Sequence, residues 1–184
     1  MRLAVLLSGR GSNFVAIHEA IQRLELYAEI VCVISNRADA AGIQRAREFG
    51  YDARVIEHKG RRRAEHERDV LRVLEEVAPD YIVLAGYMRL LSAGFVERWR
   101  NRIVNIHPSL LPSFPGVDAQ AQALAYGVKI TGCTVHLVDE NLDAGPILVQ
   151  RAVRVHEDDT VETLSERILA EEHGAYVEAL RRLS

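Results

Sequence analysis

Short runs of aliphatic and β-branched residues alternate with amphipathic stretches through the first half of the chain. "RLAVLLS" reads as a strand, and the stretch after it, about Asn13 to Leu24, carries Phe14, Ile17, Ile21 and Leu24 at helical spacing. "AEIVCVIS" is a second strand, followed by a helix from about Ala40 to Phe49 that ends at Gly50. "ARVIE" is a third, edge-like strand, and a charged helix from about Arg63 to Val77 stops at Ala78-Pro79. "YIVLAGY" has the continuous apolar character of a central strand, a short helix near Ser92 to Trp99 comes next, and "RIVNI" makes a fifth strand. This alternation predicts βαβ units in an open, twisted, mostly parallel α/β sheet with helices on both faces.

After Gly116 the pattern changes. "ITGCTVHLV" and "ILVQRAVRV" are long alternating strands separated only by "DENLDAGP", which predicts an antiparallel pair at the C-terminal side of the sheet. No element is assigned between Gly116 and Ile130, and a last helix runs from about Thr160 to Arg182.

The chain has 184 residues, 48% hydrophobic and 27% charged, which suits a single domain, 1–184, with a three-layer core. A net charge of −3 gives no general attraction for nucleic acid or an anionic membrane, so any anion must be held locally. Cys32 and Cys133 lie in apolar runs without metal-ligand spacing and read as buried thiols of a cytoplasmic protein. The N-terminal "LAVLL" is broken at Ser8-Gly9-Arg10, and no run approaches the roughly 18 apolar residues of a membrane span. The basic run Arg61-Arg62-Arg63 is most simply a solvated helix start.

Two stretches carry candidate chemistry. "SGRGSN", Ser8 to Asn13, joins the first strand to the first helix, where doubly wound folds hold anions on backbone N–H groups. Phe14 replaces the third small residue of a dinucleotide fingerprint and the second strand ends without an acid, so NAD is not expected. The alternatives are one phosphate on Gly11, Ser12 and Asn13, or a plain glycine turn with a polar cap. The second stretch is "RIVNIHPSLLPSFPG". Asn105 and His107, two apart in a strand, share a face at its carboxyl end, with Val104 and Ile106 on the other. Pro108, Pro112 and Pro115 stiffen the segment from His107 to Gly116. A histidine and an amide donor suit transfer at a carbonyl, with no adjacent nucleophilic serine or cysteine; the plainer reading is a core histidine with a strand-end cap. Asp143, between Leu142 and Ala144-Gly145-Pro146, has no packing role and is placed to face His107, favouring its imidazolium. His136 shares the polar face of its strand with Thr134, either near the site or half exposed. His18, His58, His66, His156 and His173 have no common ligand spacing, and no metal is expected.

Taken together, "SGRGSN", "VLAGYMRLL", "NIHPSLLPSFPG", "TGCTVHLV" and "LDAGPIL", in this order and spacing, resemble the phosphoribosylglycinamide formyltransferase family, folate-dependent enzymes of one-carbon metabolism and purine (IMP) biosynthesis. The resemblance covers almost the whole chain. It implies a Rossmann-like formyltransferase fold with a phosphate-binding half, residues 1–100, and a catalytic and folate-binding half, residues 101–184. It implies that Asn105, His107 and Asp143 transfer a formyl group from 10-formyltetrahydrofolate to the amine of glycinamide ribonucleotide (GAR). Gly11, Ser12 and Asn13 would hold the GAR phosphate and Glu172 its ribose. Arg63, Met88, Arg89, Leu90, Leu91, Asn105, and the loop Asp139, Glu140, Asn141, Leu142 and Asp143 would line the folate site. Partners would be these two small molecules, with no nucleic acid or membrane, and a monomer or a homodimer is equally open. "VDAQAQAL" departs from the family's loop, which often carries histidines, so Asp118 and Gln120 receive no catalytic role. Many relatives also continue past the position where this chain ends, Ser184. Related formyltetrahydrofolate hydrolases and methionyl-tRNA formyltransferases usually carry an extra N-terminal or basic C-terminal domain, which this chain is not expected to have. An inert folate or phosphosugar binding module would not need the His107 acid.

Overall fold

The central apolar runs are strands covered on both faces by helices. In the computed structural model, which describes residues 1–184, the strands are β1 (Arg2–Leu7), β2 (Glu29–Ser35), β3 (Ala53–Val55), β4 (Tyr81–Leu84), β5 (Ile103–His107), β6 (Ile130–Leu137) and β7 (Ile147–Arg154). They form one sheet in the order β3-β2-β1-β4-β5-β6-β7. Neighbours are parallel from β3 to β5, and β6 and β7 join antiparallel. The helices are α1 (Ser12–Gln22), α2 (Ala41–Glu48), α3 (Arg63–Val77), α4 (Ala93–Arg98), α5 (Ala119–Tyr126) and α6 (Val161–Leu183).

Alternation along the strands divides the core. Leu3, Val5 and Leu7 of β1 face Phe14, Ile17, Ile43 and Tyr176, so α1, α2 and α6 cover one side. Ala4 and Leu6 face Val70, Leu74, Phe95 and Trp99, so α3 and α4 cover the other. β1 leads to β2 on one side while β4 lies on its other side, so the connections reverse direction between β1 and β4. Such a reversal opens a crevice at the carboxyl ends of the two strands. The segments that leave them, Ser8–Gly11 and Ala85–Ser92, flank it.

Tyr176 fixes the strands at this edge. Its side chain is fully buried, and its hydroxyl lies 3.0 Å from the Leu84 carbonyl and 2.8 Å from that of Val104. These carbonyls belong to β4 and β5, one residue before Ala85 and Asn105 respectively.

Two sequence expectations are corrected. The first helix stops at Gln22 rather than Leu24: Leu24 has φ 57° and is 72% exposed, its N–H closing a turn on the Ile21 carbonyl. The stretch assigned no element contains α5, whose alanines Ala119 and Ala123 are buried. Small residues give a helix little contrast between faces, which is why its periodicity is faint.

Replacing Tyr176 with Phe leaves two buried strand carbonyls without that donor and is expected to cost about 1–3 kcal/mol. Urea unfolding should show a lower midpoint with an unchanged slope; an unchanged midpoint would mean the hydroxyl contributes nothing.

Candidate active site

Gly11 sets the geometry of the first loop. Its φ is 71°, and a Cβ there would lie 2.9 Å from the Gly42 Cα, so glycine alone lets α2 begin this close. The Gly42 N–H closes the contact on the Gly9 carbonyl at 3.0 Å. α1 starts without a side-chain cap, which leaves first-turn N–H groups free for an anion. Beside them lies a cleft of about 480 Å³ lined by Ser8–Asn13, Asn36, Met88 and Glu172. A larger hollow of about 670 Å³ at the opposite edge, between Met1, Asp80, Arg102 and Ser184, holds none of the candidate residues.

Asn13 and Glu172 are both buried, and the Asn13 Nδ2 donates to Glu172 Oε2 at 2.8 Å. What Asn13 offers an anion is therefore its backbone N–H, while its side chain orients the carboxylate contributed by α6. The Asn13 Oδ1 is buried without a partner. Burial lifts the Glu172 carboxyl above its ordinary range, and the Asn13 hydrogen bond opposes this.

The strand-end cluster forms around β5. Val104 and Ile106 pack toward α6, and Asn105 and His107 take the opposite face. His107 is 5% exposed, and its two ring nitrogens face two acceptors. Nε2 lies 2.8 Å from the Phe114 carbonyl, and Nδ1 lies 3.4 Å from Asp143 Oδ2. A carbonyl only accepts, so Nε2 carries a proton, and a second proton on Nδ1 would pair the ring with the carboxylate. The Phe114 carbonyl is aimed by a left-handed backbone, φ 53°, in the proline-rich loop. Buried hydroxyls hold that loop. Ser109 donates to the Ser113 carbonyl at 2.5 Å and Thr134 to the Ser109 carbonyl at 2.7 Å, while Thr134 accepts from the Leu111 N–H at 3.0 Å.

Asp143 sits in the β6–β7 connection with φ 50°, and its Oδ2 also accepts the Gly116 N–H at 2.8 Å. His136, left open by the sequence, is 1% exposed and stands directly across the strand pair from Asn105. Its Nε2 is 3.3 Å from Asn105 Nδ2 and 3.8 Å from Asp143 Oδ1. Burial holds the His136 imidazole below its ordinary pKa, more than the Leu137 carbonyl and Asp143 raise it. Asn105, His107, Asp143 and His136 thus form one cluster. No group of three or more His, Cys, Asp or Glu side chains is arranged to hold a metal.

The segment Tyr87–Leu91 is tied to the sheet from below and open above. Met88 N–H donates to the Ser8 hydroxyl at 2.8 Å, the Tyr87 hydroxyl meets His66 Nε2 at 2.8 Å, and Ser92 N–H donates to the buried Glu67 at 2.7 Å. Met88 and Leu90 are 76% and 68% exposed, and Leu142 of the other loop is 57% exposed. Arg89 and Leu91 are half-buried between them. Asp139 Oδ1 accepts the Asn141 N–H at 2.8 Å and shapes the turn that carries Glu140. In the basic run, Arg61 pairs with Asp69 and Arg62 with Glu65, whereas Arg63, at the start of α3, makes no ion pair. Sequence reading missed Ser8 as a bridge and the Phe114 carbonyl; the signal for Ser8 was its place directly before the glycine turn.

Fold and site together define a doubly wound α/β protein with an uncapped helix N-terminus and a cluster of acid–base side chains at the carboxyl edge of its sheet. More narrowly, the chain belongs to the formyl transferase family, whose model matches residues 1–180. It is 49% identical over 182 residues to the trifunctional purine biosynthetic protein adenosine-3 of Gallus gallus, which covers 98% of this chain but only 18% of that protein. The chain thus spans less than a fifth of that relative's length. It is 39% identical over 177 residues to the phosphoribosylglycinamide formyltransferase of Escherichia coli, covering 96% of this chain and 84% of that protein. The crystal structure of glycinamide ribonucleotide transformylase 1 from Symbiobacterium toebii superposes with a TM-score of 0.95 at 47% identity, covering 98% of this chain and 86% of that one.

Glu172 yields a prediction with a definite sign. Because its folded pKa is raised, the folded state binds this proton more tightly than the unfolded chain. The associated stability is complete below the ordinary glutamate pKa of about 4.3 and is lost as pH rises through the folded value. Glu172→Gln, which does not titrate, should therefore gain melting temperature relative to the parent protein between pH 4 and pH 8. A difference in melting temperature that stays constant over that range would contradict the assignment.

Proposed function

We propose that this chain transfers the formyl group of 10-formyltetrahydrofolate to the primary amine of glycinamide ribonucleotide, a step of purine biosynthesis in the cytoplasm. The observation that carries the reading is the His107 ring held between the Phe114 carbonyl and the Asp143 carboxylate, with Asn105 on the same face of β5. The phosphate of GAR would sit on the backbone N–H groups of Gly11, Ser12 and Asn13, and its ribose against Glu172. The folate would lie on the exposed Met88, Leu90 and Leu142, with Arg89 and Leu91 beside it, along Asp139, Glu140 and Asn141, its acidic tail near Arg63. Large apolar side chains left exposed in these two segments fit a flat ring system.

In this reading the amine attacks the formyl carbon directly. The new N–C bond forms as the carbonyl electron pair moves onto oxygen, where the Asn105 amide donates together with the Nδ1–H of His107, whose loose 3.4 Å contact with Asp143 leaves it able to turn to the oxyanion. The intermediate then collapses. The bond to the folate nitrogen breaks, and that nitrogen takes up the proton the amine gives away, with Asp143 carrying it through water. Asp143 also orients the His107 ring from its Nδ1 side, and the proline loop limits how far the ring can move. Removing an oxyanion donor typically lowers rate by about 10²- to 10³-fold, and removing a general acid by about 10²- to 10⁴-fold.

Purified protein should consume 10-formyltetrahydrofolate only when GAR is present. His107→Asn should lower turnover by at least about 10²-fold while both ligands still bind in calorimetry. Folate consumption that ignores the amine would mean hydrolysis, and unaltered turnover by the variant would remove His107 from the chemistry.

A further inference from the structure

An asparagine is an uncertain oxyanion donor, because its side chain has a donor and an acceptor end of nearly equal shape. Turned over, it would place Oδ1 against an oxygen that gains negative charge. Something must hold it the right way round. The two ring nitrogens of His136 do different jobs here. Nδ1 lies 3.0 Å from the Leu137 carbonyl, which can only accept, so Nδ1 carries the proton. The ring is 1% exposed and burial favours its neutral form, which leaves Nε2 with a lone pair. That lone pair lies 3.3 Å from Asn105 Nδ2 and only 3.8 Å from Asp143 Oδ1, so its partner is the amide N–H rather than the carboxylate. An inverted Asn105 would set Oδ1 against the lone pair and meet repulsion.

We propose that His136 is a positioning residue: its neutral Nδ1–H form accepts a hydrogen bond from Asn105, locks the amide in its donating orientation and leaves the second N–H for the reacting carbonyl. This rests on the formyl-transfer reading for its effect on rate, but the hydrogen bond itself does not. The register fixes the arrangement, because Asn105 and His136 are directly opposed in the β5–β6 pair. Loss of the lock frees the amide and costs the bias one hydrogen bond supplies, about three- to tenfold in kcat.

The test combines a kinetic cycle with a ligand-free measurement. His136→Phe should lower kcat about three- to tenfold with little change in the KM of either substrate, and His136→Gln, whose Oε1 can accept in place of Nε2, should restore most of it. In an Asn105→Ala background, adding His136→Phe should change kcat by less than about twofold. Full multiplication of the two losses would overturn the proposal, as would no loss in His136→Phe. Nitrogen-15 NMR of the unliganded parent protein at pH 7 should show His136 protonated on Nδ1 alone; a proton on Nε2 would overturn the proposal. Because that reading needs no turnover, a parent protein that fails to formylate GAR would refute the functional assignment and leave the His136 result to stand separately.

Discussion

One carboxylate holds the site together. Asp143 adopts a left-handed backbone, φ 50°, at a cost on the order of 1 kcal/mol for a residue other than glycine. That conformation turns its side chain inward, where Oδ2 receives the Gly116 N–H at 2.8 Å and stands 3.4 Å from His107 Nδ1. The β6–β7 connection, the proline-rich loop and the end of β5 thereby meet at a single group that is 11% exposed at its side chain. Without it the His107 ring would keep its contact with the Phe114 carbonyl but lose the charge that faces its other nitrogen. The surrounding hydroxyls of Ser109 and Thr134 hold the loop that this arrangement needs.

The same logic links the two ligand areas. The reversal of strand connections between β1 and β4 opens the crevice, and Ser8 spans it. Its hydroxyl donates to Asn36 Oδ1 at 2.6 Å and accepts the Met88 N–H at 2.8 Å, while its own N–H reaches the Gly86 carbonyl at 3.1 Å. The loop proposed to take a phosphate and the segment proposed to take a folate ring are therefore parts of one hydrogen-bonded unit. Tyr176 of α6 braces the strands beneath, and Glu172, four residues before it in the chain, reaches the Asn13 side chain.

Strands were legible wherever burial imposed a period on the sequence. β1, β2, β4 and β5 are apolar because helices cover both their faces, and the two last strands announced themselves by length and alternation. Asn105 and His107 stood out because polar residues at a strand end are unusual in such a run. Other features left weaker traces. The alanines of α5 gave too little contrast between faces, and Leu24 matched the helical spacing although the chain turned away before it. Whether His136 was buried depended on what covers the polar face of β6, and strand alternation carries no information about the opposing layer. The Phe114 carbonyl was invisible for a plainer reason: a backbone acceptor has no side-chain signature, and its direction comes from a φ of 53° that a phenylalanine seldom adopts.

The central claim is that the Asp143 carboxylate acts on His107 during direct formyl transfer and does not merely shape its loop. Asp143→Asn keeps the size of the side chain and an oxygen for the Gly116 N–H but removes the charge. Single-turnover rates with 10-formyltetrahydrofolate and GAR both saturating are predicted to fall by about 10²- to 10⁴-fold, with ligand affinities little changed. A single-turnover rate equal to that of the parent protein would contradict the account.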